Sequence, residues 1–102
     1  MSYRVEKWQS ENAPDAAELR KIMTAEGYSV FEWADPPDAV HSDHQHAEDQ
    51  SHWVVSGILE LTVAGVGRVI LDPGDRDFMS ADTVHSACVP GDAPVLYLIG
   101  RK

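Results

Sequence analysis

The chain has 102 residues, which suits one domain and is too short for two hydrophobic cores. Hydrophobic residues make up 43% and charged residues 25%, which is enough apolar material for a core and predicts a globular fold. Seventeen acidic against eight basic side chains give a formal net charge of −9 at pH 7, which repels nucleic acids and anionic membranes, so we expect neither as a partner.

The N-terminal stretch MSYRVEKWQSEN has no continuous apolar run, and no part of the chain approaches the roughly 18 apolar residues of a membrane span. The single cysteine, Cys88, has no internal disulfide partner, and its place on an apolar strand is more typical of a packing residue than of a nucleophile. We therefore expect a soluble cytoplasmic protein.

One helix is predicted near the N-terminus, after a short alternation of apolar and polar residues in 3–8. In NAPDAAELRKIMTAEG, Asn12 is a candidate N-cap, Pro14 lies in the first turn and Gly27 is a C-terminal stop. The helix has an apolar stripe of Leu19, Ile22 and Met23. We expect it to pack over a sheet and to have no catalytic role.

From Tyr28 onward the pattern changes to short runs rich in β-branched and aromatic residues, separated by turn sequences such as GVG and PGDAP. Such a series predicts a small antiparallel sandwich or barrel. The predicted strands are YSVFEW, SHWVVSG, ILELTVAG, GRVIL, DFMS, TVHSACV and VLYLIGR.

Four of the five histidines lie in one polar stretch, HSDHQHAEDQSHW. His44 and His46 are two residues apart, so on a strand their imidazoles point to the same side and suit a divalent metal. His85, in the strand TVHSACV, is the remaining candidate for a third ligand. The alternatives are a solvated loop for the pair and a hydrogen-bonded core histidine for His85.

The stretch that begins at His44 resembles the first motif of the cupin superfamily, G-x5-H-x-H-x3,4-E-x6-G. His44, His46 and Gly57 match it, whereas Gln50 stands in place of the glutamate and Asp38 in place of the first glycine.

The stretch from Gly74 to His85 resembles the second cupin motif, G-x5-P-x-G-x2-H-x3-N. It departs from the motif at three positions, where Ser80 replaces proline, Asp82 replaces glycine and Val89 replaces asparagine. With the flanking strands, the resemblance covers about residues 28–100.

The resemblance implies a mainly β fold, an antiparallel double-stranded β-helix (jelly-roll) barrel over about residues 28–100. An N-terminal strand and one short α-helix in residues 3–26 precede it, and 1–102 form a single domain. It also implies one divalent metal ion, which three imidazoles and one oxygen would bind as Fe, Mn, Ni, Co, Cu or Zn. The implied ligands are His44, His46, Gln50 and His85.

Gln50 and His52 carry the chemical expectations. A neutral amide in place of a carboxylate leaves the full charge on the ion, which favours an anionic oxygen ligand such as a carboxylate, enolate or α-keto acid. His52 lies two residues beyond Gln50, facing the same interior, and is a candidate general acid or base. The alternative is a buried histidine satisfied by a neighbouring polar group.

Residues around these positions have simpler interpretations. His41 and Asp43 are expected at the rim of the site, and Glu48 and Asp49 as solvated charges. Trp53 should face away from the interior. Small cupins commonly dimerise through such faces, so the resemblance implies a homodimer, with coverage by the N-terminal helix as the alternative.

Function stays open between two classes at this level. The first is a mononuclear metal-dependent enzyme acting on a small oxygenated metabolite, where two open metal positions make us favour a dioxygenase over an isomerase or lyase. The second is a non-catalytic module that binds a metal or small ligand, and whether the protein is an enzyme is not decided.

Overall fold

The computed structural model describes residues 2–102, which form one helix and nine strands in two antiparallel sheets. In order these are β1 (Tyr3–Glu6), α1 (Ala16–Ala25), β2 (Ser29–Asp35), β3 (Val40–His44), β4 (Gln50–Ser56), β5 (Leu59–Val63), β6 (Gly67–Leu71), β7 (Arg76–Met79), β8 (His85–Cys88) and β9 (Val95–Arg101). One sheet has the order β1-β7-β4-β9-β2 and the other β3-β8-β5-β6.

The register of β4 against β9 decides which side chains face the interior. Directly opposed residues of an antiparallel pair project to the same face. Three such pairs line the inner face, and they are Gln50 with Arg101, His52 with Ile99, and Val54 with Tyr97. Toward β5 and β6 that interior is filled by a buried cluster: Val54, Leu59, Leu61, Val63, Leu71, Met79, Val89, Val95 and Tyr97.

The helix α1 packs on the outer face of the same sheet. This corrects the expectation that Trp53 is available there for a homodimer contact. Trp53 is buried beneath the helix against Leu19 and Met23, and its indole N–H donates to the carbonyl of Gly74 at 2.8 Å. A second chain cannot use a side chain that the N-terminal helix already covers. The expected homodimer therefore rests on the family resemblance alone.

The helix begins later than the sequence suggested. Its N-cap is Asp15, whose carboxylate accepts a hydrogen bond from the N–H of Ala17 at 2.9 Å, and Asn12 and Pro14 lie before it. Asn12 instead accepts, through its carbonyl, the indole N–H of Trp8. Gly27 has a φ of 99°, as expected of a helix stop.

One strand was not predicted. Residues Val40–His44 form β3 at the edge of the smaller sheet, paired with β8 through an irregular register. Its sequence, VHSDH, has no apolar alternation, because an edge strand with a largely exposed face has little apolar surface to bury.

The departures from the two glycine positions of the motifs have a backbone explanation. Gly57 and Gly74 have φ values of 77° and 88°, and the aspartates that replace glycine, Asp38 and Asp82, have values of 67° and 63°. Aspartate tolerates this left-handed conformation better than most residues. The turns of the motifs are therefore kept although the residues differ.

Among residues 2–102, the only helix is the ten-residue α1, which is too short and too polar to cross a membrane.

Candidate metal centre and cavity

Three histidines from separate parts of the chain meet at one end of the barrel. His44 ends β3 and pairs in register with His85 at the start of β8, so their rings lie 4.3 Å apart between centroids. The His46 ring is 5.0 Å from that of His44 and 5.7 Å from that of His85. One ring nitrogen of each histidine lies within 4.8 Å of the others, a spacing suited to three ligands of one metal ion.

His46 reaches this cluster from a loop, and not from the same strand face as His44. β3 ends at His44, and His46 lies in the connection to β4. Its carbonyl accepts the backbone N–H of Asp82 at 2.7 Å, and Asp49 exchanges two backbone hydrogen bonds with Lys102. Backbone contacts thus fix the loop, and the two-residue spacing alone does not explain the convergence.

The ring protons of two cluster histidines are oriented away from the cluster. Nδ1 of His44 donates to the carbonyl of Ser42 at 2.7 Å, and Nδ1 of His85 donates to the carbonyl of Thr83 at 2.9 Å. In the neutral ring this leaves Nε2 unprotonated, the form in which imidazole binds metals. Nε2 of His85 is buried and has no hydrogen-bond partner.

The protonation of the cluster also suits a cation. Burial lowers the pKa of His85 to about 4, against the bond to the carbonyl of Thr83, which raises it. Burial also lowers the pKa of His46, with the charge of Arg101 as the next cause. Both rings are consequently neutral near pH 7, so a metal ion would not have to displace protons from them.

Gln50 is buried at the start of β4, and neither its amide oxygen nor its amide nitrogen has a hydrogen-bond partner. An unpartnered buried amide costs free energy, about 1–3 kcal/mol for one polar group. Gln50 and His85 line the same cavity, and so does Arg101, the third residue with an orphaned buried polar atom. A cation with oxygen and imidazole ligands would satisfy the amide oxygen of Gln50 and Nε2 of His85, and the residues present fit a divalent metal.

The cavity beside the cluster has a volume of about 370 Å³, enough for a small metabolite. Within the described part of the chain, no acidic residue lines it, and Arg101 is the one permanent cation. The lining residues are Phe31, Trp33, His41, His44, His46, Gln50, His52, Leu59, His85, Ala87, Tyr97, Ile99 and Arg101.

His52 lies farther inside and is held by a buried carboxylate. Asp77 stands opposite it on β7, fully buried, and accepts both the Nδ1 proton of His52 at 2.9 Å and its backbone N–H at 2.7 Å. The hydroxyl of Tyr3 donates to the other Asp77 oxygen at 3.0 Å. Nδ1 of His52 is therefore satisfied by a neighbouring polar group, as in the buried-histidine alternative, and its role as a general acid or base stays a prediction.

The remaining sequence expectations have mixed outcomes. His41 lies at the cavity rim, as expected, and its Nε2 is 2.8 Å from a carboxylate oxygen of Asp35. Glu48 is exposed, as is Asp49, but Asp49 also accepts the backbone N–H of Ala81 and so links the loop before β4 to the turn before β8.

Arg101 is a charged cavity residue that the sequence interpretation missed. It is opposite Gln50 in the sheet, its Nε is buried without a partner, and its guanidinium carbon is 5.6 Å from the centre of the Phe31 ring. A signal was present in the sequence. Strand alternation in VLYLIGR places Arg101 on the same face as Tyr97 and Ile99.

A family model for the cupin domain matches residues 31–99. No curated protein matches the chain. Among solved structures, a DMSP lyase, DddQ from Ruegeria pomeroyi, is 23% identical with a TM-score of 0.67, over 74% of this chain and 38% of that one. KdgF from a Halomonas species is 28% identical with a TM-score of 0.56, over 72% and 70%.

The cupin domain of Drosophila melanogaster CENP-C is 18% identical with a TM-score of 0.66, over 72% of this chain and 59% of that one. This chain thus spans about two fifths of the DMSP lyase and about three fifths of the CENP-C domain. At these identities the DMSP lyase and CENP-C are similar in fold, which alone does not assign an activity.

Proposed function

The chain belongs to the cupin domain family, and from its histidine cluster and cavity we propose that it is a metal-dependent enzyme for a small anionic metabolite. The observation that carries the proposal is the buried, unpartnered Nε2 of His85 among converging imidazoles. The proposed ligands of the one divalent ion are His44, His46, Gln50 and His85.

When bound, the ion would supply Lewis acidity, polarising an oxygen atom of the ligand beside it. Gln50 contributes to this through its charge. Because an amide oxygen is neutral, the site keeps the full positive charge of the ion and attracts an anion more strongly than a site with glutamate would.

Arg101 would bind a second part of the same anion. Its Nε has no hydrogen-bond partner, and among residues 2–102 no acidic side chain lines the cavity to pair with it. In a chain of net charge −9, a cavity lined by one arginine and no acid concentrates anions where the rest of the surface repels them. Guanidinium groups bind carboxylates in a fixed two-pronged geometry, so a carboxylic acid is the preferred class.

His52 would act as the general base. Asp77 holds its Nδ1 proton and stabilises the imidazolium that forms when Nε2 takes a proton from the ligand. A histidine oriented by a buried aspartate beside a Lewis-acid site suits removal of a proton next to a carbonyl or carboxylate, the first step of an isomerase or lyase reaction. This favours proton transfer over the dioxygenase chemistry expected from the open metal positions.

Dioxygenase chemistry is the second candidate, since three imidazoles and one neutral oxygen also suit a redox-active ion. Oxygen consumption with keto and phenolic acids separates the two. A non-catalytic role as a binding module would give metal and anion binding without turnover of either kind.

Elemental analysis of protein purified without an affinity tag tests the metal. We expect close to one divalent ion per chain, lost in His85→Ala and kept in the control His41→Gln, which changes a cavity histidine outside the proposed ligand set. Metal content unaffected by His85→Ala would refute the ligand assignment.

Titration of the metal-loaded protein with pyruvate tests the anion. We expect Arg101→Gln to weaken binding by about 10- to 100-fold, the value of a hydrogen bond to a charged group, whereas the exposed control Arg68→Gln should not change it. Gln50→Glu should tighten the metal and weaken pyruvate by about tenfold, because one negative charge is added nearby. Pyruvate affinity unchanged in Gln50→Glu would remove the charge argument.

A further inference from the structure

Two half-exposed aromatic side chains form one wall of the cavity. Phe31 and Trp33 are two residues apart on β2, so both project to the inner face of the sheet and line the cavity. Phe31 is 51% exposed and Trp33 is 47% exposed. The cavity is therefore open to solvent beside these rings, and they present apolar surface that a bound ligand would remove from water.

The polar atoms of this wall are bonded to a residue outside the cavity. Asp35, at the end of β2, accepts the indole N–H of Trp33 at 3.0 Å on one oxygen and the hydroxyl of Tyr97 at 3.2 Å on the other. Asp35 is buried and does not itself line the cavity. Trp33 and Tyr97 thus face the cavity with carbon atoms, because the single polar atom of each side chain is already paired.

Strand register separates a charged end of the cavity from this apolar wall. Opposed residues of β2 and β9 form three successive rows on the inner face, which are Ser29 with Arg101, Phe31 with Ile99, and Trp33 with Tyr97. The row of Arg101 continues to Gln50 on β4, so a permanent charge and two orphaned polar groups share one end. The next two rows are apolar on both β2 and β9. A ligand that spans the rows would match them with an anionic group at one end and an apolar group at the other.

The spacing of these two parts limits the length of such a ligand. The guanidinium carbon of Arg101 is 5.6 Å from the centre of the Phe31 ring. Aromatic rings pack with their centres about 4.5–7 Å apart, so a carboxylate on Arg101 and a ring on Phe31 would be joined by about one to three atoms. Packing between aromatic rings also contributes more than the buried area alone, which favours an aromatic group over an aliphatic one.

A small ligand accounts for this wall better than a second copy of the chain does. Phe31 and Trp33 border the same cavity as the buried, unpartnered Nε of Arg101. A carboxylate that enters the cavity can pair with Arg101, whereas a protein surface laid over the two rings would leave that nitrogen unpartnered. The net charge of −9 also opposes the approach of a second copy.

We propose that the cavity binds carboxylic acids that carry an aromatic ring, and that Phe31 and Trp33 determine this specificity. Arg101 binds the carboxylate, and the ring of the ligand lies against Phe31 and Trp33. Arylalkanoic acids and aryl keto acids with a short chain have this form. The inference rests on the proposed function for the anionic end of the ligand.

Binding to the metal-free protein tests the inference without turnover. The probes are 3-phenylpropionate, propionate and 3-cyclohexylpropionate, each titrated in ¹H–¹⁵N spectra. We expect 3-phenylpropionate to bind about 10- to 100-fold more tightly than propionate, because its ring is buried. It should bind about threefold more tightly than 3-cyclohexylpropionate, because its ring is aromatic. The indole N–H signal of Trp33 should shift on binding, whereas that of Trp53, buried beneath α1, should not.

Matched substitutions separate recognition of the ring from recognition of the carboxylate. Phe31→Leu should weaken 3-phenylpropionate by about 3- to 10-fold and leave propionate unchanged. Phe78→Leu is the control, because Phe78 is an aromatic residue that does not line the cavity, and it should change neither affinity. Arg101→Gln should weaken both acids by a similar factor and abolish the preference for 3-phenylpropionate over the neutral 3-phenylpropanamide.

The outcomes separate this inference from the proposed function. Equal affinities for propionate and 3-phenylpropionate, in a protein that binds metal and pyruvate, overturn the inference and leave the proposed function standing. Binding of 3-phenylpropionate at Trp33 by a chain that takes up no metal overturns the proposed enzyme and leaves the aromatic acid site. A dimer in sedimentation that dissociates in Trp33→Ser would assign the two rings to a second copy and overturn the inference.

Discussion

The five histidines of the chain are held in two different ways. The three whose ring nitrogens converge are held by backbone groups. The rings of His44 and His85 each donate to a backbone carbonyl, and the loop of His46 is fixed by a backbone hydrogen bond. The other two are anchored by buried carboxylates, His52 by Asp77 and His41 by Asp35. A carbonyl orients a ring without adding charge and leaves it neutral for a cation, whereas a carboxylate stabilises the protonated ring. The first arrangement suits metal binding and the second suits proton transfer.

The largest effect should come from removing a carboxylate anchor. Asp77→Ala leaves the ring and backbone N–H of His52 and the hydroxyl of Tyr3 without their acceptor in the core. We expect a loss of about 3–5 kcal/mol in the free energy of unfolding, measured by urea denaturation. Asp43→Ala at the exposed rim should cost less than about 0.5 kcal/mol. Equal effects of the two substitutions would mean that Asp77 is not the support described.

The next largest effect should be on metal affinity, which substitutions in the converging group should weaken more than substitutions of the carboxylate-anchored histidines. His46→Ala removes a proposed ligand and should weaken metal binding by more than about 100-fold, above the usual cost of losing an outer contact to a ligand. His52→Ala removes a ring outside the converging group and should change affinity by less than about tenfold. Competition with a chromophoric chelator measures both. Similar losses of affinity in the two variants would contradict the assignment of metal binding to the converging histidines alone.

In the metal-free protein, the free energy of unfolding should depend on pH because the ring of His85 is buried in its neutral form. The pKa of His85 is lowered by burial to about 4, below its ordinary value of 6.5, so between these values the unfolded chain binds the extra proton and the folded chain does not. The free energy of unfolding should therefore be fully retained above pH 6.5 and fall as the pH drops toward 4, by about 2 kcal/mol. His85→Gln should flatten this part of the curve. An unchanged slope would mean that another group governs it.

The sequence revealed the first group more readily than the second. Motif spacing pointed to His44, His46 and His85, since ligands of one ion recur at fixed intervals, and the two-residue strand period placed His52 on the inner face. Asp77 and Asp35 were not found, because their partnerships depend on which strands are neighbours and in which register. The strand pattern of DFMS contains Asp77 but does not place β7 beside β4.

The same limit applies to the parts of the fold that carry little apolar surface. The apolar strands were predicted with boundaries close to those in the structure, whereas β3, an edge strand of polar residues, was not. The helix was predicted but its N-cap was not, because Asn12 and Asp15 are both good caps and the choice depends on where the preceding chain packs.

The smallest effect concerns the turn that supports His46. The backbone N–H of Asp82, and not its carboxylate, holds the His46 carbonyl, and Asp82 has a φ of 63°. Asp82→Gly should relieve the left-handed strain, partly offset by the greater freedom of glycine in the unfolded chain, for a net gain of about 0.5 kcal/mol in the free energy of unfolding. Metal affinity should stay unchanged, since the backbone bond remains. Thermal unfolding measures the first quantity and chelator competition the second, with Asp72→Gly as the control without a left-handed φ. A loss of metal affinity in Asp82→Gly would show that a side chain, and not backbone alone, supports the converging histidines.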